Sequence, residues 1–225
     1  MNNYLLIWDI DGTLIQGRGI GRRGMDKAFL ELYGIKNGFE GIDMAGMLDS
    51  VILRKAYELH NLKGQDSKKY FEVYCECLKE EIKKLDAPIY APGIPQLLEI
   101  LHQKDNFYNV LGTGNVKEAA IIKLAVHDMN RFFICGGFGD EEMDRWQVIQ
   151  QAITSSHKLL NIRFESKNIY IIGDTPRDVE CGKKLEAKTI GVATGSYTTS
   201  QLLDCGADYV FEDFTDTSAF LSIFE

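Results

Sequence analysis

Tyr4-Leu5-Leu6-Ile7-Trp8-Asp9-Ile10-Asp11-Gly12-Thr13-Leu14-Ile15 decides the reading of this chain. It is an apolar run that stops at two aspartates and a glycine. Four to six apolar residues without polar alternation predict a strand covered on both faces, as in a parallel sheet with helices on either side. The strand should end near Asp9. Alternation along an extended chain turns Asp9 and Asp11 the same way, and Gly12 permits torsions that a side chain would forbid, so the chain can leave the strand sharply. Two carboxylates at the end of a buried strand repel one another. A cation, a cationic side chain or a shared proton must offset that, and a nucleophile beside a proton donor has the same need.

The same grammar recurs twice downstream. Phe107-Tyr108-Asn109-Val110-Leu111-Gly112-Thr113-Gly114-Asn115 is an apolar strand ending in small and hydroxyl residues, with a helix of Ala119, Ile122, Leu124 and Ala125 character after it. A strand feeding a helix start exposes unpaired N–H groups suited to a phosphate, although Thr113 or Asn115 could equally cap that helix. Lys167-Asn168-Ile169-Tyr170-Ile171-Ile172-Gly173-Asp174-Thr175-Pro176-Arg177-Asp178 is an apolar strand closed by a glycine and an aspartate. Pro176 there suits a first helical turn, and a second aspartate follows four residues after the first.

Between the first two strands the pattern changes. Gln16 to Gly24 is rich in glycine and arginine and reads either as a solvated hinge or as a basic lip for an anionic substrate. Helices are expected from about Met25 to Tyr33, Ser50 to Leu62 and Ser67 to Leu85, the last with an aromatic stripe (Tyr70, Phe71, Tyr74) that reads as core. Three of the four prolines fall in Ala87 to Pro95, a stiff second hinge. Residues 16–86 therefore read as a helical insert hung from an α/β core formed by 1–15 and 87–225. Further on, a third strand is expected in Phe132 to Phe138, then helix from Trp146 to Leu160, strand at Lys188 to Ala193, helix from Ser200, a short strand in Ala207 to Phe211 and a closing helix from Asp216. Gly191, Gly195 and Ser196 read either as the edge of the site or as a plain turn, the turn being the better reading.

Composition narrows the function. The 225 residues can bury a sizeable core, and a formal net charge of -8 leaves no basic excess for nucleic acid or acidic membranes. It favours a small substrate held by a few local cations. Five scattered cysteines build neither a disulfide framework nor a zinc site. Met1-Asn2-Asn3 runs straight into a strand, so we expect a cytoplasmic protein without targeting segment or membrane span, as monomer or small homo-oligomer.

Asp9-Ile10-Asp11-Gly12-Thr13-Leu14 resembles the first motif of the haloacid dehalogenase superfamily, and Gly173-Asp174-Thr175-Pro176-Arg177-Asp178 resembles its fourth, Gly-Asp-x-x-x-Asp. Thr113 resembles the second motif. Arg145, opening a helix after an acidic loop, resembles the third in its arginine form, with Lys158 as the alternative. The resemblance implies a three-layer, Rossmann-like core with a mostly parallel sheet and a helical cap. It implies a Mg2+-dependent phosphatase acting on a small phosphorylated metabolite through an aspartyl-phosphate, nearest to the phosphoglycolate phosphatase group. A phosphomutase of the beta-phosphoglucomutase type is the enzyme alternative, and a non-catalytic phospho-ligand sensor the alternative from another class.

Residue by residue, the resemblance implies Asp9 as nucleophile and Asp11 as general acid and base. Gly12, Thr113, Gly114, Asn115 and Arg145 would cradle the phosphoryl group, and Asp9, Asp11 through its carbonyl, Asp174 and Asp178 would hold Mg2+. Some relatives carry Gly-Arg-Thr-Asp in the cap. This chain has Gly46-Met47-Leu48-Asp49, without the arginine.

Overall fold

The computed structural model describes residues 2–141 and 143–225; Met1 and Glu142, the latter in the acidic loop before Arg145, lie outside the described residues. Six strands form one all-parallel sheet in the order β3-β2-β1-β4-β5-β6. They are β1 (Tyr4–Trp8), β2 (Phe107–Gly112), β3 (Gly136–Gly137), β4 (Ile169–Gly173), β5 (Lys188–Val192) and β6 (Tyr209–Phe211). The apolar run of β1 serves both faces. Leu6 and Trp8 pack into one cluster with Leu97, Leu124, Phe214 and Phe220, while Leu5 and Ile7 pack into the other with Val110, Ile149 and Ile171. Successive side chains on a strand point to opposite sides, so a central strand covered twice needs apolar residues throughout.

Nine helices are assigned among the described residues: α1 (Ile20–Tyr33), α2 (Asp49–Leu59), α3 (Ser67–Lys83), α4 (Ile94–His102), α5 (Lys117–Ala125), α6 (Arg145–Leu160), α7 (Pro176–Leu185), α8 (Thr199–Asp204) and α9 (Thr217–Leu221). Helices α1 to α3 follow one another without a strand between β1 and α4. The chain enters and leaves this helical segment through paired linkers. Gln16 N donates to Ile89 O at 2.6 Å, and Ala91 N donates to Leu14 O at 2.9 Å. No helix among the described residues is long and apolar enough to cross a membrane.

Two boundaries differ from expectation. Helix α1 starts at Ile20, five residues early, because Gly19 takes a left-handed turn (φ 78°) and acts as its N-cap. The glycine-rich hinge is thereby reduced to Gln16–Gly19. The third strand shrinks from Phe132–Phe138 to two glycines, since Met129–Phe132 coil into a 3-10 turn. A side chain at Gly137 would run into the Val148 carbonyl of α6, which packs directly on that edge.

From β1 the chain winds to β2 and β3 on one side and to β4, β5 and β6 on the other. The strand order therefore reverses beside β1, and the carboxyl ends of β2, β1 and β4 lie side by side. Such a reversal opens a crevice above the strand ends, the position where open α/β sheets hold ligands.

Candidate active site

Asp9 follows β1 directly and is fixed to the neighbouring strand by its backbone N–H, which donates to Ile172 O at 2.9 Å. Asp174 follows β4 in the same way, and Asp178 lies in the first turn of α7. One carboxylate oxygen from each of Asp9, Asp174 and Asp178 falls within 4.8 Å of the others, and all three residues are buried. Hard oxygen donors at this spacing fit a divalent cation such as Mg2+. The Asp11 carboxylate lies outside this trio and is about half-exposed.

Two glycines make room for Asp174. Gly12 has φ +86°, and a Cβ there would overlap the Asp174 carboxylate; a Cβ on Gly195 would do the same. Asp174 thus lies in a cradle walled by two bare backbones, with a long hydrogen bond from Thr13 Oγ1 (3.4 Å). Gly195, expected to be part of a plain turn, is instead a wall of the site, whereas Gly191 packs against Leu202 away from it.

Arg145 is the first residue of α6, whose start is fixed by a capping box between Asp144 and Gln147. Its guanidinium is buried among the carboxylates. Nη2 is 2.6 Å from Asp178 Oδ1 and 3.1 Å from Asp9 Oδ1, and Nε donates to Asp178 Oδ1 at 3.0 Å. Nη1 donates to Gly46 O at 3.2 Å, joining the site to the helical segment. Asp178 uses its other oxygen within α7, accepting from Thr175 N and Oγ1. Lys158 stands exposed near the far end of α6.

One buried arginine does not balance three buried carboxylates. Burial, opposed by Arg145 and reinforced by the Asp178 and Asp11 charges, pushes the Asp9 carboxyl up to about 6. Burial and the charges of Asp9 and Asp178 push Asp174 up to about 8. For Arg145 burial works against the charge, but Asp178 and Asp9 outweigh it and hold the guanidinium above its usual range. The cluster is short of positive charge, which a divalent cation would supply.

Thr113 and Asn115 close the β2 side. Thr113 Oγ1 accepts from Asn115 N (3.3 Å) and Nδ2 (2.8 Å), and Asn115 Nδ2 also donates to Asp11 Oδ2 at 2.8 Å. Neither caps a helix, since α5 begins at Lys117 behind Val116. The first amides of α5 are occupied by acids: Val116 N donates to Asp49 Oδ2 at 3.0 Å and Lys117 N to Asp140 at 3.2 Å. Asp49 N in turn donates to Gly114 O at 2.8 Å, so the Gly46–Asp49 loop is clasped onto the core. Arg177 adds a hydrogen bond to Ala45 O.

Lys123 escaped the sequence reading. It is 3% exposed, and its Nζ lies 2.6 Å from both Asp11 Oδ2 and Asn115 Oδ1. The signal was a lysine four and three residues after Ala119 and Ala120, on the buried face of α5. The arginines near the first linker mostly answer acids of the helical segment: Arg22 pairs with Asp26 and Arg23 with Glu81, each at 2.8 Å. Arg22 also lines the chamber above the strand ends, a cavity of about 300 Å3 walled by Asp9, Asp11, Asp49, Lys123 and Arg145 on its polar side.

Residues 148–217 match the family model described as HAD-hydrolase-like. No curated protein sequence matches the chain significantly. Among solved structures it is similar to a hydrolase from Pseudomonas syringae, at 21% identity over 98% of this chain and 99% of that one, with a TM-score of 0.71. It is also similar to a protein assigned as a beta-phosphoglucomutase from Bacteroides vulgatus (16% identity, 99% and 89% covered, TM-score 0.70). A third is a haloacid dehalogenase-like hydrolase from Streptococcus pneumoniae (19% identity, 99% of each chain covered, TM-score 0.67). The chain has the fold these proteins share.

Proposed function

We propose that this chain, built on the haloacid dehalogenase-like fold, is a Mg2+-dependent phosphatase that hydrolyses a small phosphomonoester through a phospho-enzyme on Asp9. The observation that carries the reading is the buried cluster of Asp9, Asp174 and Asp178 around Arg145, with the Asp11–Lys123 pair lining the same chamber. Asp9, Asp174 and Asp178, with the Asp11 carbonyl, are the groups that would hold the ion. When bound, Mg2+ supplies positive charge to the phosphoryl oxygens and keeps the Asp9 carboxylate ionised.

An Asp9 carboxylate oxygen attacks phosphorus as the ester oxygen–phosphorus bond breaks, and Asp11 gives the departing alkoxide its proton. Water then attacks the phosphoryl group while Asp11 takes that water's proton, the Asp9–phosphorus bond breaks and phosphate leaves. A carboxylate is a weak nucleophile, so stabilisation of the spreading phosphoryl charge has to do most of the work. Arg145, the Thr113 hydroxyl and the Gly114 N–H are the donors for it; the Gly12 N–H is spent on Ile15 O at 2.8 Å and the Asn115 N–H on Thr113 Oγ1 at 3.3 Å. Lys123, held between Asp11 and Asn115, aims the Asp11 carboxylate. Residues 16–86 act as a cap that excludes bulk water, with the Gly46–Asp49 loop as its latch.

The reaction needs only a soluble phosphorylated metabolite and Mg2+, and five free cysteines suit the cytoplasm. The test is phosphate release from sugar phosphates, phosphoglycolate and nucleoside monophosphates, each with and without Mg2+. Magnesium-dependent release from a few members supports the phosphatase. Interconversion of phosphate positions without release supports a mutase, and a stoichiometric, long-lived phosphoprotein supports a sensor.

A further inference from the structure

We propose that Tyr74 of α3 is the specificity-determining residue of this site and that the leaving group it selects is a small polyol. The inference rests on the phosphatase reading above, which puts the phosphoryl group beside Asp9. Among the described residues, Tyr74 Oη is the one buried side-chain oxygen or nitrogen without a hydrogen-bond partner. Tyr74 is fully buried, and it lines the chamber above the strand ends. Buried hydroxyls are otherwise satisfied almost without exception, so a lone one on a residue that lines a cavity marks a partner that arrives from outside the protein.

Its surroundings say what that partner is. A Cβ placed on Gly21 would lie 3.3 Å from Lys123 Nζ and 3.6 Å from Tyr74 Oη, so the bare backbone of Gly21 leaves both atoms facing one space. Lys123 commits two of its three N–H groups, to Asp11 and Asn115. One ammonium N–H and one phenol are thus free to meet a ligand oxygen.

A carboxylate there would also meet the carboxylates of Asp11 and Asp49, which line the same chamber. Hydroxyl groups avoid that conflict. They accept from Lys123 and Tyr74 and donate to Asp11 and Asp49. The remaining wall, with Ile20, Met25, Met47 and Ile52, covers a short carbon chain, and about 300 Å3 has room for a phosphoryl group and a small polyol.

The test compares two esters of equal length and charge, glycerol 3-phosphate and n-propyl phosphate. Calorimetric titration with Mg2+ present uses Asp9→Asn, which cannot turn them over, and Asp9→Asn/Tyr74→Phe. The expected result is that Asp9→Asn binds glycerol 3-phosphate at least tenfold tighter and that Tyr74→Phe cuts this ratio about tenfold, the worth of one neutral hydrogen bond (about 1.4 kcal/mol), the contacts with Lys123, Asp11 and Asp49 remaining.

Removing an unpartnered oxygen should leave the thermal midpoint unchanged or raised. A ratio equal in both variants, tighter binding of n-propyl phosphate, tighter binding of phosphoglycolate than of glycerol 3-phosphate, or a fall in midpoint of several degrees on Tyr74→Phe would each overturn the proposal. Binding is read without turnover. If wild type releases phosphate from no ester while the tenfold ratio holds, the phosphatase reading falls and Tyr74's selectivity stands; the reverse pattern removes the selectivity alone.

Discussion

Arg145→Met removes the cation buried against Asp9 and Asp178. In wild type Nη2 lies 2.6 Å from Asp178 Oδ1 and 3.1 Å from Asp9 Oδ1, with Arg145 8% exposed. At an effective dielectric of about 20, unit charges roughly 3 Å apart attract by about 5 kcal/mol, much of it offset by the cost of taking both out of water. The net comes from what the substitution leaves behind. Two buried carboxylates without a partner cost about 3–5 kcal/mol, which for a chain of this size is a fall of about 10 °C in thermal midpoint.

The assay is urea denaturation at pH 7.5 in EDTA, with Asp178→Asn and the double variant completing a cycle. A coupling of about 2–3 kcal/mol is expected, since each single change strands the other's partner. Excess Mg2+ should recover part of the loss by replacing the missing charge. Lowering the pH should recover part too, because the stranded carboxylates then take up protons. A loss below about 1 kcal/mol, or strict additivity with Asp178→Asn, would refute the claim that Arg145 balances this cluster.

Gly195→Ala puts a methyl group into the Asp174 carboxylate; a cost of about 1–3 kcal/mol and weaker Mg2+ binding are expected by denaturation and calorimetry, and an unchanged affinity would exclude Gly195 as a wall of the metal site. Asp9 at about 6 and Asp174 at about 8 both lie above the ordinary 3.8. Folded-state values raised above the unfolded ones stabilise fully below about pH 4, and that contribution is lost as pH rises through 6 and then 8. Metal-free protein should therefore lose stability from pH 5 to 8.5, while Mg2+ affinity climbs over the same window with release of protons, seen as buffer-dependent heats. An affinity flat from pH 5 to 8.5 would count against both shifts. Lys123→Met frees Asp11 and Asn115 and should lower kcat by about 10–100-fold, as loss of an outer partner of a reacting group does, and also raise KM because its third N–H no longer meets the leaving group; a KM effect alone would assign Lys123 to substrate binding only.

The sheet was legible because its physics is local. An apolar run serving two faces reads as a central strand, and a residue directly after it stands at the sheet's carboxyl edge, so Asp9, Thr113 and Asp174 could each be placed at that edge from their flanks, while their lying side by side was implied only by the family resemblance. What lay hidden was decided across the chain. Lys123 looked like one polar residue in an ordinary helix until Asp11, 112 residues away, met it at 2.6 Å. Tyr74 was one ring in an aromatic stripe, and most of that stripe is core; only the missing partner of its hydroxyl sets it apart. Gly195 read as a plain turn ahead of an edge of the site, because the atom that forbids a side chain there belongs to Asp174. The edge strand failed for a similar reason: Gly136 and Gly137 pair with β2 because α6 presses on them, and propensity alone favours the phenylalanines on either side.

The central claim is a phosphoryl group held covalently by Asp9. Acid quench of the enzyme turning over a phosphate-labelled ester with Mg2+ should trap protein-bound label that hydroxylamine removes, as an acyl-phosphate requires. The label should map to Asp9 and be absent, together with phosphate release, in an Asp9→Asn variant that remains folded. Label on another residue, or Asp9→Asn turning over at the wild-type rate, would contradict the account.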